Sequence, residues 1–217
     1  GADDHVSRYA VLVVTDAGVP PGELHPGNAA PRRPEALAEA AGHHFWRYIF
    51  ELPAESGAHY TFDGVRYEVA TNLTDDVRIA YASCNGQEHG DTERTNDERN
   101  VIWRQIMQSH QEEPYHLLLQ GGDQLYADEA KYAHPEMSRW AELPSKKKHQ
   151  VAFTEEMREA VERYFVDRYR TLMTAPSVAY LSARVPTLMM WDDHDIMDGW
   201  GSHSEAFLSS PCALGLY

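Results

Sequence analysis

Hydrophobic and polar positions change rhythm about a third of the way along this chain. YAVLVV at 9 to 14 reads as a short strand, HPGNAAPRRP at 25 to 34 as a proline-rich loop without an apolar period, and aromatic and aliphatic side chains alternate from Phe45 to Leu52. In HYTFDGVRYEV at 59 to 69, Asp63 and Gly64 separate two β-rich runs, which predicts a hairpin whose tight turn needs positive φ at its centre. Residues 1–73 therefore predict a β-rich N-terminal domain, or an extension of a main sheet. From residue 74 onward strands alternate with longer helical stretches. DVRIAYA runs as a strand almost to Cys84, and 97–110 carries Ile102, Ile106 and His110 at helical spacing with Trp103 and Met107 alongside. HLLLQ at 116 to 120 is a second strand. The segment from Thr154 to Met173 has Met157, Val161, Phe165 and Leu172 on one stripe, with Thr154 as N-cap and Glu155 and Glu156 in the first turn. VPTLMMW at 185 to 191 is apolar on both faces, as a central parallel strand is, and KKKH at 146 to 149 reads as a solvated loop. The order βαβαβ predicts an α/β fold with a parallel sheet covered by helices.

Composition narrows the classes of function. Of the 217 residues 42% are hydrophobic, enough for a sizeable core, yet YAVLVV and VPTLMMW fall well short of the roughly 18 apolar residues that a spanning helix needs. Acidic residues outnumber basic ones by 34 to 19, and the net charge of -15 opposes nucleic acid as a bulk partner. Cys84 and Cys212 allow one disulfide at most and cannot staple a scaffold. The start GADDHVSRY lacks a basic stretch followed by an apolar one, and leaves cytoplasmic and exported locations both open.

Each predicted parallel strand ends in polar residues and glycine: ASCNG at 82 to 86, GGDQLYADE at 121 to 129 and WDDHDIMDGWG at 191 to 201. Open α/β sheets bind ligands at the carboxyl ends of their strands, so the three ends would converge on one pocket. Asp192, Asp193, Asp195 and Asp198 crowd around His194 in the third, and a cation is the natural way to hold several of them ionised together. Asp123 follows two glycines that let the backbone turn sharply and leave its carboxylate facing the pocket. Cys84 and Tyr126 offer a thiolate and a phenolate, donors that favour a transition metal such as ferric iron. Plainer readings stand beside these: Cys84 as a small buried hydrophobe, Tyr126 as a core aromatic, Asp195 or Asp198 as helix caps. His134, His149 and His203 lie in loops and suggest no role.

On the segments ASCN, HLLLQGGDQLYADE and VPTLMMWDDHDIMDGWG, with the β-rich stretch before them, the chain resembles the alkaline phosphatase D (PhoD-like) branch of the binuclear metallophosphoesterases. The resemblance implies a hydrolase of phosphoric mono- or diesters that acts on a small-molecule phosphate ester with two metal ions, iron(III) with calcium or another divalent cation. It implies that Cys84 stands where the superfamily has an aspartate, that Asp123 is the bridging ligand, that Tyr126 is a further ligand to the iron and that Asp193 takes an asparagine ligand position. His194 would be the catalytic histidine and Asp195 its orienting carboxylate. Residues 74–217 would form the catalytic domain, a βαβαβ half of a metallophosphoesterase sandwich. The family pattern continues into a second half with further ligands, so the sequence reads as the front part of a longer enzyme. The rival reading is a non-catalytic binding or interaction protein that keeps the fold, and no G-x-x-x-x-G-K-[ST] or G-x-G-x-x-G supports a nucleotide-binding domain.

Overall fold

A computed structural model describes residues 6–74, 76–85 and 94–217. It is a mixed α/β structure with three sheets of three strands each. Its elements are β1 (Val6–Asp16), β2 (Leu24–Pro26), β3 (Glu35–Ala40), β4 (His43–Pro53), β5 (His59–Phe62), β6 (Val65–Glu68), β7 (Ile79–Ala82), α1 (Asn96–Arg99), α2 (Val101–Glu112), β8 (Leu117–Gln120), α3 (Pro135–Glu142), α4 (Glu155–Met173), α5 (Pro176–Ser182), β9 (Thr187–Met189), α6 (Glu205–Leu208) and α7 (Pro211–Leu216). The chain forms two compact units, one of Gly1–Tyr81, Asn100–Leu119 and Ala175–Leu188, the other of Ala82–Arg99, Gln120–Thr174 and Met189–Tyr217. Among the described residues no helix is long and apolar enough to cross a membrane.

In the first unit β1 and β4 run antiparallel from Val6 opposite Pro53 to Asp16 opposite His43, with β3 on the far side of β4. The alternation read from Phe45 to Leu52 sends Tyr48, Phe50 and Leu52 inward, where they pack with Leu24 and Tyr60 of the sheet β2-β5-β6. Asp63 and Gly64 turn the β5–β6 hairpin with φ of +48° and +78°, the left-handed pair that a primed turn requires. In α2 the buried residues are Trp103 and His110, while Ile102 is 59% exposed. The helix therefore presents a stripe one residue on from the Ile102 phase. His110 fixes that face: its Nδ1 accepts from Tyr115 N at 3.0 Å, and its ring meets Tyr115 and the α5 residue Tyr180.

The third sheet has the order β7-β8-β9. His116 N donates to Arg78 O and Gly121 N to Ala82 O, while Leu118 N donates to Pro186 O and Met190 N to Gln120 O. Residue numbers rise together on both sides, so the strands are parallel. The middle strand is β8, with Leu118 and Gln120 buried, and not VPTLMMW: β9 lies at the edge and leaves Leu188 63% and Met190 62% exposed. An apolar pattern on both faces marks a strand that wants cover, and among the described residues β9 has a strand neighbour on one side only.

In the second unit Thr154 caps α4 by accepting from Met157 N, and Met157 and Val161 pack with Met137, Trp140, Phe207 and Cys212. Lysines 146 to 148 fall in a 3-10 turn, Ser145–Gln150, rather than a fully solvated loop. Lys148 is buried there, its Nζ donating to Trp140 O at 2.6 Å and Ala141 O at 2.7 Å, the last carbonyls of α3. Both cysteines are free. Cys212 is fully buried, and burial pushes its thiol up to about 11 against a weaker pull from Lys148, so it serves as a small core side chain.

A carboxylate-rich candidate metal centre

The carboxyl-terminal extensions of the parallel strands all belong to the second unit. Two backbone hydrogen bonds lock the first to the second: Cys84 N donates to Gly122 O at 3.0 Å and Asn85 N to Asp123 O at 2.9 Å. Gly86, the last residue of ASCNG, lies outside the described residues. Gly122, with φ of +106°, lets the second extension approach the third, since a Cβ there would stand 2.5 Å from Asp192 Cβ. Five non-glycine residues among those described have positive φ, and three of them are Cys84 at +60°, Asp123 at +56° and Tyr126 at +51°. The other two, Ala41 and Asp63, sit in hairpin turns. Left-handed backbone costs an ordinary residue about 1–2 kcal/mol, and it recurs here at every donor that the first two strand ends were expected to supply.

Asp123 is buried, and its Oδ2 accepts from Cys84 Sγ at 3.3 Å. Its Oδ1 accepts from His194 N at 3.3 Å, so one carboxylate touches all three strand ends. Ligand atoms of Asp123, Asp192 and Asp193 lie within 4.8 Å of one another, as do those of Asp193, His194 and Asp198. Asp193 belongs to both groups. Its Oδ1 accepts from His194 N at 3.1 Å and its Oδ2 from Gly199 N at 2.7 Å. An oxygen-rich donor set with one imidazole fits hard or borderline cations, and Cys84 beside Asp123 adds a softer donor at one end. Cys84 is exposed and Tyr126 buried, with the Tyr126 ring stacked on His194 at 4.7 Å between centroids.

The orienting carboxylate at His194 is Asp128 and not Asp195. His194 Nδ1 lies 2.9 Å from Asp128 Oδ2, and Asp128 Oδ1 accepts from Asp198 N at 2.6 Å. Asp195 is buried, and its oxygens are taken by main-chain amides: Oδ2 accepts from Asp123 N at 2.8 Å and Asp192 N at 3.1 Å, Oδ1 from Leu125 N at 2.9 Å. Adjacent residues in the 3-10 turn Asp193–Asp195 point different ways, so the next carboxylate in sequence is not the one beside the ring. Asp192 caps that turn. Burial by itself lowers the His194 pKa, but the hydrogen bond and charge of Asp128, with the charges of Asp193 and Asp123, outweigh it and hold the imidazole above its ordinary value. The signal that could have found Asp128 is its place in GGDQLYADE, five residues past Asp123 in the same strand-end burst. His203 lies on Phe207, and its Nε2 stands 2.9 Å from the main-chain carbonyl of Asp198 rather than at a carboxylate.

Comparison with known proteins supplies independent findings. The uncharacterized protein YGR266W of Saccharomyces cerevisiae is 29% identical over 189 residues, an alignment covering 76% of this chain and 26% of that protein. This chain thus spans about a quarter (26%) of the length of the curated relative it matches. No solved structure matches. The family described as PhoD related phosphatase matches residues 57–214, which take in all three strand ends. The chain belongs to the PhoD-related phosphatase family, a membership that points to phosphoesterase-type function.

Proposed function

We propose that this chain carries the metal-binding face of a hydrolase of phosphoric mono- or diesters that uses two metal ions. The observation that supports this most is the strained left-handed backbone at Cys84, Asp123 and Tyr126, next to carboxylates gathered within 4.8 Å of one another. Asp123, Asp192 and Asp193 would hold one cation with Cys84 and Tyr126 close by, which suits iron(III); Asp193 and Asp198 would face calcium or another divalent ion. Bound cations supply Lewis acidity towards phosphoryl oxygens, offset the charge of an anionic ester and lower the pKa of water. The rest falls to the chain's own residues. Asp128 holds the His194 proton at Nδ1, leaving Nε2 as the nitrogen that gives or takes a proton at an ester oxygen. The Tyr126 ring fixes the imidazole plane, and Gly199 N holds the Asp193 carboxylate in place. Asp195 is the clasp beneath them.

The test is metal content together with aryl phosphate turnover in the full-length protein. Asp123→Asn should lower bound metal. His194→Ala and Asp128→Asn should lower kcat by roughly 10²-fold and 10-fold while KM and metal content hold. Unchanged metal content in Asp123→Asn, or kcat within a few-fold of wild type in His194→Ala, defeats this reading.

A further inference from the structure

Among the described residues β1 leaves one long edge without a strand neighbour. β1 is a terminal strand of the sheet β1-β4-β3 and its strand partner among the described residues is β4 alone. Ala17 N donates to Gly42 O at 2.9 Å, in the same register that sets Asp16 opposite His43. Hydrogen-bonded and non-bonded pairs alternate along an antiparallel ladder. Odd-numbered residues of β1 therefore bond to β4, and even-numbered ones turn their N–H and C=O groups outward. The same even-numbered residues, from Val6 to Asp16, are the ones whose side chains are exposed.

The two edges of this sheet differ in how they are protected. β3 carries two glutamates, Glu35 and Glu39, and a register shift between Ala36 and Ala38, devices that discourage edge pairing. β1 has eleven residues in unbroken register, no proline and no lysine, and Leu12 is 60% exposed at its middle. Its only charges are Arg8 and Asp16, placed symmetrically about Leu12.

We propose that β1 pairs antiparallel with β1 of a second copy across a twofold axis at Leu12, joining two three-stranded sheets into one. Arg8 then lies opposite Asp16 of the partner, Ala10 opposite its Val14, and Leu12 opposite its Leu12, with about ten backbone hydrogen bonds between outward-facing groups. A slip by one residue matches outward groups with inward ones. Shifting the centre to Val11 or Val13 matches outward groups but sets Asp16 against Val6 or Ala10, so only the Leu12 register pairs both charges. Arg8 makes no ion pair among the described residues, while Asp16 lies 3.0 Å from His43 Nδ1 and is still 72% exposed. β1 precedes the family match at 57–214, so this pairing stands apart from the proposed chemistry.

Sedimentation velocity and native mass spectrometry of the protein test it, with circular dichroism to confirm folding. The wild type should be dimeric at about 100 μM, and Arg8→Glu and Leu12→Lys should each raise the dissociation constant by about tenfold or more. The exchange Arg8→Asp with Asp16→Arg should bring the dimer back. A monomeric wild type at that concentration, dimers that persist in Arg8→Glu, or an exchange variant that stays monomeric overturns the proposal.

Discussion

Replacing Asp195 by asparagine separates a structural carboxylate from a catalytic one. Asp195 is 5% exposed and its two oxygens accept three backbone amides, from Asp123, Leu125 and Asp192. Asparagine keeps one acceptor oxygen and presents an amide nitrogen where the other stood. In the better orientation the oxygen retains Asp123 N and Asp192 N as neutral bonds, and the new NH2 faces Leu125 N donor to donor. A hydrogen bond to a charged group contributes about 1.5–3 kcal/mol, and the two retained bonds weaken with loss of the charge, so the substitution should cost about 3 kcal/mol. At about 2–4 °C per kcal/mol for a chain of this size, Tm should fall by roughly 6–12 °C. Differential scanning fluorimetry reads the shift, and hydrogen exchange by mass spectrometry should show faster exchange in peptides holding Asp123, Leu125 and Asp192. Asp128→Asn is the contrast: that carboxylate sits at the rim of the site and should affect kcat far more than Tm. If Asp195→Asn melts within about 2 °C of wild type, the three-amide clasp is not what Asp195 contributes.

Two further outcomes follow from packing and burial. At Gly122, alanine should destabilise by about 2–4 kcal/mol, because its Cβ would meet Asp192 Cβ at 2.5 Å while the backbone holds φ at +106°; Gly201, with φ of +87° and nothing within 4 Å, should lose only about 1–2 kcal/mol on the same change, and equal melting temperatures for the two variants would refute the close approach. Burial first, then the charges of Arg184 and Arg78, hold His110 below the ordinary histidine pKa, so its contribution is present in full above about pH 6.5 and is lost as pH falls through the lowered folded value; between about pH 7.5 and 5.5 the wild type should lose more Tm than His110→Gln, and parallel curves would remove His110 as the cause.

Local signals were legible where a single element decides the outcome. Asp63 and Gly64 announced their turn, Thr154 its helix start, and the alternation from Phe45 to Leu52 the inward face of β4. What escaped depends on partners distant in sequence. VPTLMMW has the composition of a central strand, but strand order is set by which neighbours pair, and that is not written in seven residues. Lys148 looked like one charge in a solvated run; α3, by ending at Glu142, gave it two carbonyls to cap. Ile102 and Trp103 are adjacent, so a helical stripe centred on either fits the apolar pattern, and the phase was decided by where His110 found Tyr115 and Tyr180.

The carboxylates of the strand ends were legible as a group but not as individuals, and the reason is electrostatic. Four aspartates between 192 and 198, with Asp123 and Asp128 near them, cannot all be held ionised by the same means. The fold divides them by the donor each can reach. Asp195 is buried and takes main-chain amides, Asp192 caps the 3-10 turn, and Asp128 takes an imidazole and an amide. Asp123 and Asp193 receive fewer or longer bonds than Asp195 and converge with Asp192 and Asp198 at ligand-atom separations within 4.8 Å. On the proposed reading those incompletely satisfied carboxylates carry the unbalanced negative charge of the site, and that imbalance, rather than the number of acids in the motif, is what would draw a cation to Asp123 and Asp193.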